Sequence, residues 1–364
     1  MAFKMALNAV LNATPEKPAH AAYPMSHPSA LHPREALFEP EDTPPDLPVC
    51  DHYCGVEKLM RKSLQLQCDM GPVFDVTLDL EDGAPLGGEL DHALLISELV
   101  MGASNQFGRV GARLPPVGHP QFLAVLDVLV QRAGSRLAYL MLPKPRGLGD
   151  VERAAHLLNE VRLRAGLRRA IPLHALIETH GALLDVHRIA AHAQIESLSF
   201  GVMDFVAAHR GAIPQWGMGV VGQFEHPLVV RAKLEIAAAC HARAKVPSHC
   251  VVTEFKDSAA LQEAAGKAAR RFGYTRMWSI HPAQIRPIVD AFAPTAAEVD
   301  QAIDIIHAAQ AAQWAPIRHK DTLHDRASYR YFWQVLERAH RTSFVGGAQL
   351  PFEVTQAFFT NPTT

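Results

Sequence analysis

The sequence predicts an α/β fold in which eight parallel strands, each followed by a helix, close into a TIM-type (β/α)8 barrel. Eight short apolar runs recur between residues 46 and 281, and helix-compatible segments separate them. A parallel strand buried on both faces reads as a continuous apolar run. A (β/α)8 barrel needs roughly 250 residues, which this chain of 364 residues provides with segments to spare at both ends.

The strand-like runs lie near 46–50, 74–80, 109–114, 136–143, 172–178, 196–203, 249–255 and 276–281. The helices between them are predicted at 56–67, 91–100, 121–132, 151–165, 183–191, 227–244 and 258–271. Asp91, Asp150 and Asp257 stand where a helix N-cap carboxylate is expected. An open doubly wound sheet is the rival fold, but no Gly-x-Gly-x-x-Gly follows the first strand.

Three segments are expected along the chain. Residues 1–45 form a Pro-rich, extended N-terminal arm, because Pro44-Pro45 and the prolines before it break regular structure. Residues 46–313 form the catalytic barrel, including a helix at 295–313. Residues 314–364 are rich in aromatic side chains, which predicts a C-terminal helical extension packed on the barrel or on a neighbouring subunit.

The composition excludes several classes of partner. A net charge of -2 gives no basic field for nucleic acid or for an anionic membrane surface. No apolar run approaches the roughly eighteen residues of a membrane-spanning helix. Cysteines are few and scattered, which does not indicate a disulfide framework and predicts a reducing, cytoplasmic location. They are Cys50, Cys54, Cys68, Cys240 and Cys250.

Charged residues recur at the carboxyl ends of the predicted strands. In a closed parallel barrel these ends form the active-site face. One such charge is unremarkable, but charges after most of the strands predict a site for a small-molecule substrate. The residues are Asp79, Glu81, Asp82, Arg113, Lys144, Glu178, Asp204 and His281.

Glu178 and Asp204 end the fifth and sixth predicted strands and form the candidate metal site. Neighbouring strands lie about 4.8 Å apart, so the two carboxylates can bind one ion. Hard oxygen ligands suit Mg²⁺, which takes one or two carboxylates and completes its shell with water and substrate oxygens. The alternative is that either carboxylate caps the helix that follows it.

Arg113 stands in an otherwise apolar strand, where a guanidinium is costly to bury unless it meets an anion. It is suited to grip a substrate carboxylate or an enolate oxygen, or alternatively to form a structural ion pair with the Asp79–Asp82 cluster. The crowded carboxylates of that cluster predict at least one raised pKa and therefore an acid or base. Lys144 is either an electrostatic contact to substrate or a Schiff-base nucleophile, and His281 either bonds substrate or orients a loop.

In these stretches the chain resembles the citrate lyase beta-subunit-like and malyl-CoA lyase group of the HpcH/HpaI aldolase superfamily. The matching stretches follow the family order over residues 46–310. They are Leu78–Gly83 (LDLEDG), Gly111–Leu114 (GARL), Met141–Lys144 (MLPK), Ile177–Gly181 (IETHG), Gly201–Phe205 (GVMDF) and Ile280–Gln284 (IHPAQ).

The resemblance implies Mg²⁺ dependence and a homotrimer or hexamer. It implies Glu178 and Asp204 as metal ligands, with Glu178 also beside the substrate. It implies Arg113 as the substrate-binding and catalytic arginine, and Asp82 with Asp79 in support as catalytic carboxylates. The implied reaction is reversible carbon–carbon cleavage of a 3-hydroxy acyl thioester, such as malyl- or citryl-CoA, into a 2-oxo acid and an acyl thioester.

Two alternatives to that function stay open. Where the family tends to have a strand leading to Val-Pro-Gly, this chain reads Val49-Cys50-Asp51-His52-Tyr53-Cys54-Gly55, so an aldolase acting on free 2-oxo acid adducts without CoA is the first alternative. A non-catalytic barrel that binds a ligand is the second. Several charges at strand ends would give an idle barrel no advantage, which argues against it.

Overall fold

The computed structural model describes residues 31–39, 44–84, 86–343 and 350–360. Eight parallel strands pair in sequence order, and the last pairs with the first, so that the sheet closes into a barrel. The predicted TIM-type fold is thereby confirmed. The strands are β1 Cys50–Cys54, β2 Phe74–Asp79, β3 Val110–Arg113, β4 Leu140–Leu142, β5 Leu173–Ile177, β6 Ile195–Phe200, β7 Val246–His249 and β8 Arg276–Ser279.

Helices surround the barrel and bury an apolar layer against the outer face of the strands. The longer barrel helices are Glu57–Met70, Glu89–Met101, Phe122–Ala133, Leu148–Arg164, Pro227–His241, Ser258–Arg271 and Pro282–Phe292. The shorter helices at the carboxyl face are His180–Leu184, Val186–Ala190, Val202–Ala207, a 3₁₀ turn Gln215–Met218 and Gly222–Glu225.

The predicted caps and one predicted helix differ in detail from the structure. Asp257 caps its helix by accepting the amide of Ala260, whereas Asp91 and Asp150 lie inside the first turn of theirs. The helix expected at 183–191 is instead two short helices that meet at Asp185. The Asp185 carboxylate, at the junction of the two helices, accepts the amide of Leu148.

Two strands lie several residues from their predicted positions. β1 begins at Cys50, not at 46, and it continues through Asp51 and His52, which are buried. β7 spans Val246–His249, before the apolar run at 249–255 on which the prediction rested. Pro247 lies inside β7, and proline within a central strand is a strong signal against one.

The end of the barrel opposite the charged strand ends is closed by buried charges. Arg276 Nη2 lies 3.1 Å from Asp51 Oδ2, and Arg276 Nη1 lies 2.5 Å from Asp75 Oδ2. The Tyr139 hydroxyl donates to the remaining oxygen of Asp51 at 3.1 Å. All of these side chains are buried, so their charges are neutralised by one another and not by water.

The C-terminal residues form a second hydrophobic cluster with helices Ala296–Ala311, Arg326–Thr342 and Phe352–Phe358, and helix Pro33–Leu37 adds Leu37 to it. An antiparallel pair, Ile317–His319 and Thr322–His324, precedes the long helix and was not predicted. Helix Ala296–Ala311 packs in this cluster, although the expected boundary at 313 assigns it to the barrel; that boundary stays a prediction. Most of the predicted N-terminal arm lies outside the described residues.

The structure bears on two expectations drawn from the composition, one about the cysteines and one about membrane-spanning helices. All five cysteines fall within the described ranges and are free thiols. In the part of the chain that the structure describes, no helix has the length and apolar character needed to cross a membrane.

Candidate active site

The carboxyl ends of β2 and β3 meet in a buried ion pair between Asp79 and Arg113. Arg113 Nε donates to Asp79 Oδ1 at 2.7 Å, and Nη2 donates to Asp79 Oδ2 at 2.5 Å. Both Asp79 oxygens also accept backbone amides, from Glu81 and Gly83. Burial alone would lower the pKa of Arg113, but the hydrogen bonds to Asp79 raise it above its ordinary value. Asp79 therefore fixes the guanidinium in place and keeps it charged.

Glu81 joins Arg113 to Lys144. Its Oε2 lies 3.1 Å from Arg113 Nη1, and its Oε1 lies 2.5 Å from Lys144 Nζ. Burial raises the pKa of Glu81 despite these two cations, so one carboxyl group of the cluster has a raised pKa, but burial and not the neighbouring carboxylates is the cause. The signal for Glu81 was present in the LEDG stretch, yet only the adjoining aspartates were assigned roles from the sequence.

Asp82 lies at the rim of the same site and is more than half exposed. Its Oδ2 lies 2.8 Å from Lys144 Nζ. Partial burial acts to raise the pKa of Asp82, but the hydrogen bond and charge of Lys144 lower it overall. The pKa of Lys144 is raised, since the bonds to Asp82 and Glu81 outweigh its burial. The two ion pairs favour the predicted electrostatic role of Lys144 over a Schiff-base role, for which an uncharged amine is needed.

The candidate metal ligands Glu178 and Asp204 follow β5 and β6, as expected. Glu178 is only 3% exposed, and its Oε1 accepts the amide of Lys144 at 2.6 Å. Burial and the nearby charge of Asp204 raise the pKa of Glu178 to about 8. Neither carboxylate caps a helix, because Thr179 caps the helix after β5 and Asp204 lies within Val202–Ala207. The capping alternative is therefore wrong for both residues.

Two glycines give the carboxylates room. A Cβ on Gly201 would overlap Glu178 Oε2, and a Cβ on Gly83 would overlap Asp79 Oδ2. The loops after β2 and β6 consequently pass directly against the carboxylates of the site. A side chain at either position would displace one of these two carboxylates.

The arrangement fits Mg²⁺ with few protein ligands. Burial, and after it the nearby charge of Asp204, raises the pKa of Glu178, and a bound cation would favour the ionised form of both carboxyl groups. Across the described ranges, no group of three or more His, Cys, Asp or Glu side chains is arranged as a metal site. A closed zinc-type shell therefore does not fit, whereas Mg²⁺ needs only one or two carboxylates beside water and substrate oxygens.

An apolar cluster that was not anticipated adjoins the charged residues inside the barrel. Tyr53 stacks on Trp278 with ring centroids 4.3 Å apart, and Arg113 lies 5.5 Å from the Tyr53 ring centre. Met141, Leu176 and Val251 complete the cluster. Tyr53 was noted only as part of a departure from the family pattern, and no local signal shows that it reaches Arg113.

His281 has a structural role in this geometry. Its Nδ1 accepts the amide of Ala283 and so caps helix Pro282–Phe292, and its ring stacks on Phe255. A cavity of 590 Å³ opens elsewhere, lined by residues including Asp75, Arg109 and Tyr139. It adjoins the Asp51–Arg276–Asp75 network, away from the strand-end charges. We place the active site at the strand ends, because there the charges converge at the carboxyl face.

A closed parallel barrel whose charged side chains converge at the carboxyl ends of its strands defines a TIM-type barrel with its candidate active site at that face. The chain belongs to the HpcH/HpaI aldolase/citrate lyase family, whose model matches residues 60–282. The resemblance inferred from the sequence is thereby confirmed.

Relatives and solved structures agree with this membership. The chain is 24% identical over 251 residues to an L-malyl-CoA/beta-methylmalyl-CoA lyase of Cereibacter sphaeroides, covering 65% of this chain and 77% of the relative. It is 26% identical over 240 residues to a malyl-CoA/beta-methylmalyl-CoA/citramalyl-CoA lyase of Chloroflexus aurantiacus, covering 61% and 68%. A citrate lyase crystal structure from Burkholderia xenovorans is 50% identical, with a TM-score of 0.78, and covers 90% of this chain and 100% of that one.

A more distant structure shares the fold. The citrate lyase beta subunit of Mycobacterium tuberculosis, complexed with oxaloacetate and magnesium, is 20% identical with a TM-score of 0.55. The match covers 68% of this chain and 98% of that one.

Proposed function

We propose that the protein is a Mg²⁺-dependent carbon–carbon lyase that cleaves, or forms, a 3-hydroxy acyl thioester such as malyl- or citryl-CoA. The products of cleavage are a 2-oxo acid and an acyl thioester. The observation that carries the proposal is the convergence of Glu178, Asp204 and the Asp79-anchored Arg113 at one end of the barrel. The named lyases among the relatives support the thioester as substrate.

Glu178 and Asp204 would hold the metal. When bound, Mg²⁺ supplies Lewis-acid polarisation of the substrate hydroxyl and of the carbonyl that forms from it. Glu178 is kept in position by the amide of Lys144, so its orientation does not depend on a mobile side chain. Asp204 is 40% exposed and is the more accessible of the two carboxylates.

Asp82 would accept a proton from the substrate, and Arg113 would stabilise the negative charge that develops on it. Asp82 accepts the proton of the substrate hydroxyl, the bond between the hydroxyl-bearing carbon and the α-carbon of the thioester breaks, and the thioester enolate takes up a proton at carbon. Arg113 would stabilise the enolate oxygen with the N–H groups that Asp79 and Glu81 leave free. Lys144 keeps Asp82 ionised and so able to accept a proton, while the lowered pKa also makes this carboxylate a weaker base.

The test measures release of the 2-oxo acid from malyl-CoA and citryl-CoA by wild type and by Asp204→Asn, with Mg²⁺ and with chelator. Loss of a metal ligand is expected to reduce kcat/KM at least about a hundredfold, since metal polarisation is worth several kcal/mol. Asp290→Asn, which alters an exposed helical ion pair, is the matched control and should retain full activity.

The alternatives give different results in the same assay. Cleavage of a free 2-oxo acid adduct, with no cleavage of any thioester, would establish the aldolase that does not use CoA. Absence of activity on both substrate types, together with no binding of Mg²⁺, would leave a ligand-binding barrel and reject the lyase.

We also propose that the protein works as a homotrimer or hexamer in the cytoplasm. Several large apolar side chains are about half exposed. Contact with a neighbouring subunit would remove them from water, which supports assembly. Examples are Trp216, Val221 and Phe255. Light scattering of the purified protein tests the assembly, and a monomer at micromolar concentration would reject it.

A further inference from the structure

The ammonium group of Lys144 lies among three carboxylates of the candidate active site. Its Nζ is 2.5 Å from Glu81 Oε1, 2.8 Å from Asp82 Oδ2 and 3.6 Å from Asp204 Oδ1. In the described part of the chain, Lys144 is the one cation that forms an ion pair with Asp204. The same residue therefore contacts both the catalytic carboxylates and a proposed metal ligand.

The backbone of Lys144 is constrained to make these contacts. Its φ is +49°, in the left-handed region that costs a residue with a side chain of the order of 1 kcal/mol or more. In this conformation the amide donates to Glu178 Oε1 while the side chain points at the other carboxylates. Lys144 thus contacts Glu178 through its backbone and Asp204 through its side chain.

The local charge explains what the ammonium does. Five carboxylates and two cations meet at this end of the barrel, so the cluster carries an excess of negative charge. They are Asp79, Glu81, Asp82, Glu178 and Asp204 with Arg113 and Lys144. Arg113 is committed to Asp79 and Glu81. The charge of Lys144 is therefore the one that offsets Asp204.

We propose that Lys144 is a built-in competitor for the divalent cation: its ammonium offsets part of the Asp204 charge until a metal ion binds there, and it then keeps only its contacts with Glu81 and Asp82. The inference rests on the proposed metal site. Two cations cannot share one carboxylate without repulsion, and the longest of the three lysine contacts, at 3.6 Å, is the one to Asp204. Metal affinity is accordingly set by the lysine as well as by the ligands.

The test is calorimetric titration of Mg²⁺ into wild type, Lys144→Met and Lys144→Gln, without substrate. Both substitutions leave the backbone amide that orients Glu178 in place and remove the ammonium charge; glutamine keeps an N–H donor, whereas methionine has none. Binding is expected to tighten by about tenfold, an order-of-magnitude value for removing a nearby like charge. Lys256→Met is the matched control, because Lys256 is exposed on the loop after β7 and should leave the affinity unchanged.

Thermal unfolding provides a second readout that needs no activity. The variants should melt below wild type in chelator, since the carboxylates lose their counter-ion, and Mg²⁺ should raise their Tm by more than it raises that of wild type. Equal or weaker Mg²⁺ binding by both variants, with wild type binding normally, would overturn the competition. Failure of wild type and variants alike to bind Mg²⁺ would instead remove the proposed metal site.

Discussion

Glu178 makes the stability of the protein depend on pH when no divalent cation is bound. Burial and the charge of Asp204 raise its pKa from 4.5 to about 8. The folded chain thus binds this proton more tightly than the unfolded chain does. The cost of ionising Glu178 in the folded state is absent below about pH 4.5 and complete above about pH 8, so stability falls as pH rises through that window.

The size of the effect follows from the two pKa values. The difference between about 8 and 4.5 corresponds to about 5 kcal/mol at roughly 1.4 kcal/mol per pKa unit. Between pH 5 and pH 8.5, the contribution of Glu178 to the free energy of unfolding changes by about 4 kcal/mol. That is a large fraction of the stability of a typical domain.

Urea unfolding of wild type and Glu178→Gln in chelator, at pH 5 and at pH 8.5, measures this contribution of Glu178 to the free energy of unfolding. The glutamine keeps an oxygen for the amide of Lys144 but cannot ionise. The stability difference in favour of the variant should grow by about 4 kcal/mol between the two pH values. Glu235→Gln, on an exposed helical face, is the control and should follow wild type. Parallel pH profiles for wild type and Glu178→Gln would refute the reasoning.

Three further expectations concern other parts of the molecule. Lys233→Met should stabilise the protein by about 1–2 kcal/mol at pH 7, because burial lowers the lysine pKa to about 8 and the packing of Nζ on Phe224 offsets only part of that cost. The gain should vanish near pH 10.5, and destabilisation in urea at pH 7 would contradict it. Gly201→Ala should displace Glu178 and weaken calorimetric Mg²⁺ binding at least about tenfold, with the circular dichroism spectrum retained; unchanged affinity would exclude that close approach. Arg276→Met should cost about 3–5 kcal/mol in urea unfolding by leaving its buried aspartate partners uncompensated, and a neutral result would show that the network is dispensable.

The sequence was least informative where long-range pairing overrides local pattern. The expected first strand ended at Cys50 because Asp51 and His52 interrupt the apolar run, yet Asp51 is buried by its ion pair with Arg276, more than two hundred residues away in the chain. The expected seventh strand began too late because Pro247 is a poor strand residue. In both cases the position of the strand depends on residues of other strands, which a local pattern does not reveal.

In the candidate site, too, the sequence predicted the positions of the residues but not their pairing. Strand-end position alone brought Asp79, Arg113, Glu178 and Asp204 to one face, because the carboxyl ends of parallel strands meet there. Their pairing could not be read from the chain, since Arg113 had an anionic ligand or the Asp79–Asp82 cluster as possible partners, and the structure pairs it with Asp79. Their metal, substrate and catalytic roles stay predictions that the proposed variants test.

The sequence by itself determined the barrel and the end of the barrel at which charges collect, because the apolar runs and the charges that follow them are local patterns. The family was recognised from the resemblance of its ordered motifs. Only the tertiary structure decided that Lys144 adopts a left-handed backbone and directs its ammonium to Asp204. It also decided that a buried Asp51–Arg276–Asp75 network closes the other end. The physical reason is that burial and ion pairing are set by neighbours in space, which a local pattern along the chain does not specify.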